Sequence, residues 1–231
     1  MICVSLAENS VAGCLAELSK LDFAEIRIDR MRLTLADIPR IFSLPKRLIA
    51  TCRPGPYLDM DRKKLLLSAI ASGAAFVDAE LESEMGYRDE IIASARAHGC
   101  GVIVSSHDHI RTPARAELER IVDACFEAGA DIAKIACMVR ASTDNARLLG
   151  LLDSSRKIVV VGMGEKGRIT RIVAPLLGSP FTFASLANGK ETAAGQVDRE
   201  TLEETLRALI SAGRLQGRSE RRLKGSRIET D

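Results

Sequence analysis

A chain of 231 residues with 46% apolar side chains can bury one sizeable core, and that length suits one large α/β domain better than two small ones. Its formal charge of +2 gives no drive toward nucleic acid or a strongly acidic partner. No apolar run approaches the roughly 18 residues that span a bilayer, and the opening MICVSLAENS, with Glu8 and no basic region, reads as a first strand and not a signal peptide.

Short β-rich apolar runs then alternate with longer amphipathic stretches. Strands are expected at 2–7, 23–29, 47–52, 76–81, 101–107, 132–137, 157–163 and 181–186. Helical patterns fall at 61–72, 88–98, 113–128 and 143–153. The third of these follows Thr112 and opens with Pro113 at its first position. Gly73, Gly99 and Gly129 each follow a helical run, as helix-ending residues should. Regular alternation implies parallel strands joined by helical crossovers. Eight such units match a closed (β/α)8 TIM barrel, a single catalytic domain over 1–213. An open doubly wound sheet is the alternative, but it would have fewer units and a glycine-rich turn after its first strand; LAENSVAG has no GxGxxG. From 214 to 231, Arg and Lys recur with Gly and Ser, while Leu215, Leu223 and Ile228 are too sparse for a core. A flexible basic tail is expected there. Six scattered cysteines without a CxxC pair, and only three histidines, argue against a metal site and for buried reduced thiols of a cytoplasmic protein.

In a barrel the active site lies at the C-terminal ends of the strands, so polar residues there carry the functional question. In Glu25-Ile-Arg27-Ile-Asp29, alternation puts the three charges on one face. An inward charged trio either pairs within the barrel or holds a polar ligand. The fourth strand places Asp78 and Glu80 on a common face, and the fifth ends in His107, where Glu80 on the neighbouring strand could orient the imidazole. Lys134 stands in the middle of the apolar run IAKIAC. Lysine is seldom buried without a purpose; burial disfavours the ammonium and frees an amine able to attack a carbonyl. A salt-bridged structural lysine is the other reading. The turn Gly162-Met-Gly-Glu-Lys-Gly167 before Arg168 and Arg171 could hold an anion on backbone N–H groups.

Taken together, EIRID, TCRP, DAEL, SSHD, AKIA, a GxxxR spacing before the seventh helix and AAGQ resemble type I 3-dehydroquinate dehydratase over about residues 1–212. The resemblance implies that Lys134 forms a Schiff base with the C3 ketone of 3-dehydroquinate. His107 would remove the C2 proton and protonate the departing C1 hydroxyl, with Glu80 holding the imidazole. Glu25, Arg27 and Arg53 would hold ring hydroxyls, and Arg171 with Gln196 and Thr192 the C1 carboxylate. It implies no metal and no organic cofactor, and a cytoplasmic homodimer. Two departures stand out: Thr192 where many relatives have serine, and GPYLDMDRKK after TCRP where a glycine pair is expected. The loop 187–196, small and glycine-bearing, is expected to be a mobile lid. A class I aldolase-like Schiff-base barrel is the enzymatic alternative. A nucleic-acid binder using the basic tail is the alternative of another class, disfavoured by the 3% aromatic content.

Overall fold

Near-continuous apolar runs are what parallel strands buried on both faces require, and the chain has eight of them. The computed structural model describes the backbone of residues 1–225 and the side chains of 1–212. The strands are β1 (Ile2–Leu6), β2 (Phe23–Arg27), β3 (Arg47–Thr51), β4 (Phe76–Glu80), β5 (Gly101–Asp108), β6 (Ile132–Met138), β7 (Ile158–Met163) and β8 (Thr182–Ser185). They are joined by α1 (Val11–Leu18), α2 (Ile38–Phe42), α3 (Asp59–Ala71), α4 (Met85–Ala97), α5 (Arg115–Glu127), α6 (Ser142–Gly150) and α7 (Arg168–Val173), and followed by α8 (Arg199–Gly225). The strand order is β7-β6-β5-β4-β3-β2-β1-β8, all parallel. Because β1 pairs with both β2 and β8, the sheet curls into a (β/α)8 barrel, open only along a seam where β7 and β8 share no ladder.

Elements differ from expectation where a side chain captures the backbone. The second strand stops at Arg27, not Asp29: residues Ile28–Arg30 form a single 3₁₀ turn. That turn folds Asp29 back onto its own strand, where its carboxylate takes Arg27 Nε at 3.0 Å and Nη2 at 2.6 Å. The fifth helix starts at Arg115, so Pro113 is not its first residue. Thr112 Oγ1 donates to the Met138 carbonyl, and Arg147 donates to the carbonyls of Thr112 and Pro113; these bonds hold 112–114 extended along β6 and α6. The fourth helix begins earlier than its apolar pattern, because the Glu84 carboxylate caps the N–H groups of Gly86 and Tyr87. Gly73, Gly99 and Gly129 do end their helices with positive φ. α8 continues to Gly225, so the backbone of the expected 214–231 tail begins as helix; the tail's side chains and residues 226–231 lie outside the described residues.

Outward strand residues such as Ile26, Leu48, Val77, Val104 and Ile135 pack beneath the helices against Leu18, Ile41, Leu66, Ile91 and Leu118. Inward residues form a second core, with Cys3, Phe23, Ile49, Ile103, Ile132, Val159 and Phe181 as the floor of the barrel. Phe23 and Phe181 meet edge to face at 5.1 Å. All six cysteines are buried and unbridged. Among the described residues no helix is long and apolar enough to cross a membrane.

Candidate active site

Two residues above that floor, strand alternation turns a polar layer inward: Ser5, Glu25, Thr51, Asp78, Ser105 and Lys134, all buried. Asp78 is its hub. Its carboxylate accepts Lys134 Nζ at 2.9 Å, Arg53 Nη2 at 2.8 Å and Ser105 Oγ at 2.6 Å. Glu25 is held by Ser5 Oγ at 2.7 Å and Thr51 Oγ1 at 2.9 Å, and stands 3.7 Å from Lys134 Nζ. The lysine also lies 4.4 Å over the Phe183 ring. Lys134 is therefore buried in a nest of acids, not in a bare apolar strand. Burial works to raise the Asp78 carboxyl, but Arg53, Lys134 and His107, with the Ser105 hydroxyl, hold it far below the ordinary carboxylate range. Glu25 is lowered too, because Lys134 and Arg27 outweigh its own burial.

Above this layer opens a cavity of about 650 Å³ at the C-terminal end of the barrel, lined by all nine anticipated residues: Glu25, Arg27, Arg53, Glu80, His107, Lys134, Arg171, Thr192 and Gln196. Met138, Met163, Val161 and Phe183 give it an apolar side, the mixture usual for a small-molecule pocket. The β5–β6 register pairs Ser105 with Lys134 and His107 with Ala136, so His107 stands one inward step above the lysine on the adjacent strand. Burial first, then the charges of Arg53 and Lys134, push the imidazole well below its ordinary pKa; it is neutral at pH 7. Its Nδ1 is buried without a partner, and its ring stacks near-parallel on His109 at 6.0 Å.

The anticipated contact from Glu80 to His107 is not made. Both Glu80 oxygens face guanidinium groups instead, Arg53 Nη1 at 3.5 Å and Arg62 Nη2 at 3.4 Å. Burial, reinforced by Asp78 and opposed by Arg53, raises the Glu80 pKa. In the Gly162–Gly167 turn three N–H groups are already taken: Gly162 N donates to Thr170 Oγ1, Gly164 N to the Ala194 carbonyl and Gly167 N to the Gly164 carbonyl. In the 187–196 loop, Thr192 and Gln196 are tied to each other and to the barrel. Gln196 Oε1 accepts Thr192 N at 2.7 Å and Thr192 Oγ1 at 3.2 Å, while its Nε2 reaches Ser5 Oγ at 3.3 Å. Arg27 Nη1 holds the Thr192 carbonyl at 3.2 Å. Gly195 presses on the Gly164 carbonyl so closely that a Cβ would have no room.

Arg171 is the exception among these charges. It is 1% exposed, yet its hydrogen bonds are two long ones, 3.5 Å each, to the carbonyls of Phe183 and Ala194, and its Nε has no partner. Burial and the Arg168 charge, with Glu25 opposing, bring its pKa down to about 10. Residue-type reasoning put Asp78 on a common face with Glu80 but gave it no role, and it passed over the hydroxyls of Ser5, Thr51 and Ser105. A polar residue of inward parity in an apolar strand was the available signal. Arg62 gave no such signal, since charge on a helix normally faces water.

Fold and pocket together define a (β/α)8-barrel enzyme built around a buried lysine, a neutral histidine and a guanidinium without a counter-ion. A family model described as Type I 3-dehydroquinase matches residues 2–212, and the chain belongs to that family. It is 36% identical over 226 residues to the 3-dehydroquinate dehydratase of Methanocaldococcus jannaschii, covering 90% of this chain and 99% of that protein. With the Methanococcus maripaludis (strain C6) 3-dehydroquinate dehydratase it shares 35% over 221 residues, covering 89% and 98%. The type I 3-dehydroquinate dehydratase structure from Clostridium difficile, with covalently modified comenic acid, superimposes at a TM-score of 0.80 with 24% identity over 91% of this chain and 92% of that one. The Aeropyrum pernix deoxyribose phosphate aldolase reaches a TM-score of only 0.55 at 18% identity, over 79% of this chain and 84% of that one.

Proposed function

We propose that this chain dehydrates 3-dehydroquinate to 3-dehydroshikimate through an imine on Lys134. The observation that carries the reading is one cavity with a buried amine on one wall and an anion-free buried guanidinium on another. A ligand with a ketone and a carboxylate satisfies both. The Lys134 amine adds to the C3 ketone and water leaves, which makes the imine an electron sink and acidifies the C2 proton. His107, neutral at pH 7, takes that proton and returns it to the departing C1 hydroxyl. Hydrolysis of the product imine frees the lysine.

Arg171 takes the C1 carboxylate, aided by Gln196 and Thr192 from the overlying loop. Arg27, Arg53 and Glu25 take ring hydroxyls. On this reading Glu80 would orient the imidazole once the substrate draws Arg53 from one carboxylate oxygen, with Arg62 keeping the other. The chemistry calls for no metal and no organic cofactor. The same reading makes the chain a cytoplasmic homodimer that binds no nucleic acid. Six buried thiols suit a reducing compartment. Exposed Ile169 on α7 and Leu176 and Leu177 in the turn after it, with Leu209 and Ile210 on α8, supply apolar surface for the dimer.

The test is borohydride reduction in the presence of 3-dehydroquinate followed by peptide mass spectrometry. One ligand mass should appear on a peptide containing Lys134. An adduct on Lys166 or Lys190 would move the site, and no adduct with turnover intact would remove the imine.

A further inference from the structure

The seam between β7 and β8 bears on Arg171, which among the described residues is the buried arginine of the pocket lining without a counter-ion. Val139 N donates to the Met163 carbonyl, and Ala133 N to the Lys157 carbonyl, so β7 turns its odd-numbered main-chain groups to β6. Alternation then directs the Gly162 N–H toward the seam. On the other side, Thr182 N donates to the Met1 carbonyl, which leaves the Phe183 carbonyl facing the seam. With no ladder between the two strands, buried main-chain groups such as these need other partners.

Two adjacent side chains of α7 supply them. Thr170 Oγ1 accepts the Gly162 N–H at 2.8 Å and donates to the Gly167 carbonyl at 2.8 Å. Arg171 Nη1 donates to the Phe183 carbonyl at 3.5 Å. Thr170 is wholly buried. The backbone of Gly162 lies against that of Gly167 with no space for a Cβ on either, so the first turn of α7 sits directly on the end of β7.

We infer that Thr170 is a positioning residue for Arg171: its hydroxyl replaces the missing strand partner, fixes the first turn of α7 on β7, and so aims the guanidinium through the seam into the pocket. The inference rests on the reading of Arg171 as the carboxylate-binding group. It adds that carboxylate affinity depends on a residue that never touches the substrate. The guanidinium's own bonds are long and its Nε has none, so the position of Arg171 is set by the helix that carries it, not by its head group.

The experiment compares the full-length chain with Thr170→Val, Thr170→Ser, Thr170→Ala and Arg171→Ala. It reads kcat and KM for 3-dehydroquinate and the inhibition constant of the 3-dehydroquinate C1 carboxamide, which keeps the ring but loses the charge. Thr170→Val keeps shape and removes the hydroxyl. It should raise KM about tenfold, the effect of one lost hydrogen bond, with kcat within a few-fold and the carboxamide constant unchanged. Thr170→Ser should restore KM. Because KM does not depend on how much enzyme is folded, a poorly yielding Thr170→Val preparation still reports. Thr170→Ala repeats the measurement should the valine variant not fold.

Equal weakening of substrate and carboxamide, or a fall in kcat that serine does not rescue, would overturn the positioning role. So would an unchanged KM in Thr170→Val and Thr170→Ala alongside a raised KM in Arg171→Ala. If Arg171→Ala leaves the preference for carboxylate over carboxamide intact, the underlying reading of Arg171 fails instead, whatever Thr170 does.

Discussion

The two walls of the pocket handle buried charge in opposite ways. On the β2–β6 side, Lys134, Arg53 and Arg27 each touch a carboxylate within 3.0 Å, and hydroxyls fill the remaining acceptor positions of Asp78 and Glu25. On the β7–β8 side, Arg171 has only distant carbonyls. A buried charge is costly unless paired. The first wall has settled that cost within the protein, so it can hold an amine in place before anything binds. The second has not, and the missing partner arrives with the ligand's carboxylate. Preorganised chemistry sits on one wall and unspent affinity on the other.

The sharpest way to break this contrast is to empty the first wall. Lys134→Ala should abolish turnover and the borohydride adduct. It should also lower unfolding stability by up to about 3–5 kcal/mol, since Asp78 and Glu25 lose a buried partner; denaturant titration and mass spectrometry would check both. An active variant would end the Lys134 assignment. His107→Ala should still trap substrate on Lys134 while kcat falls by about 10²–10⁴-fold, and full activity would remove the histidine from the mechanism.

The pH dependence follows from the depressed imidazole. In the unfolded chain this ring takes up a proton near the ordinary value of about 6.5, whereas in the fold it stays neutral to lower pH. Its contribution to stability therefore rises with pH through that range, and the acid limb of kcat/KM assigned to it should lie below about 6.5. A limb above that value in the wild type, absent in His107→Ala, would contradict the neutral base. For Asp78 the sign is the reverse of a raised group: its pairing stabilises above the ordinary carboxylate value and is lost only in stronger acid.

Emptying the second wall should act on binding. Arg171→Ala should weaken 3-dehydroquinate by about 2–5 kcal/mol, the cost of stripping one partner from a buried ion pair, seen as a raised KM with the Lys134 imine still trappable. Gln196→Ala should be the mildest, about tenfold in KM, the effect of a neutral hydrogen bond. A Gln196 effect exceeding that of Arg171 would invert the assignment.

Strand parity made much of this site readable from the sequence. Lys134, His107 and Glu25 stand where alternation along single strands puts them, and alternation is local; Arg53, two residues past β3, came from the family resemblance. What failed was anything decided across the barrel. Glu80 was expected on His107 because their strands are neighbours, but its oxygens go to Arg53 and to Arg62 on α3, a competition between partners far apart in sequence. Pro113 carries a sound helix-start signal, overridden by the bonds of Thr112 and Arg147. The charged trio of the second strand became a pair plus Glu25 because Arg27 could reach Asp29 by a single turn. The open seam left no mark in the apolar pattern of β7 or β8, since an unpaired strand there has the same inward and outward faces as a paired one.

The contact between Gly195 and the Gly164 carbonyl, with Gly164 N bonded to Ala194 at 3.2 Å, bears on how such a protein could diverge. Barrels acquire new specificities by exchanging one strand-to-helix loop at a time over an unchanged scaffold. Here the loops after β7 and β8 interlock backbone to backbone, and any side chain at 195 would strike the other loop. They form one heritable part, so a graft or insertion in either must bring its counterpart along.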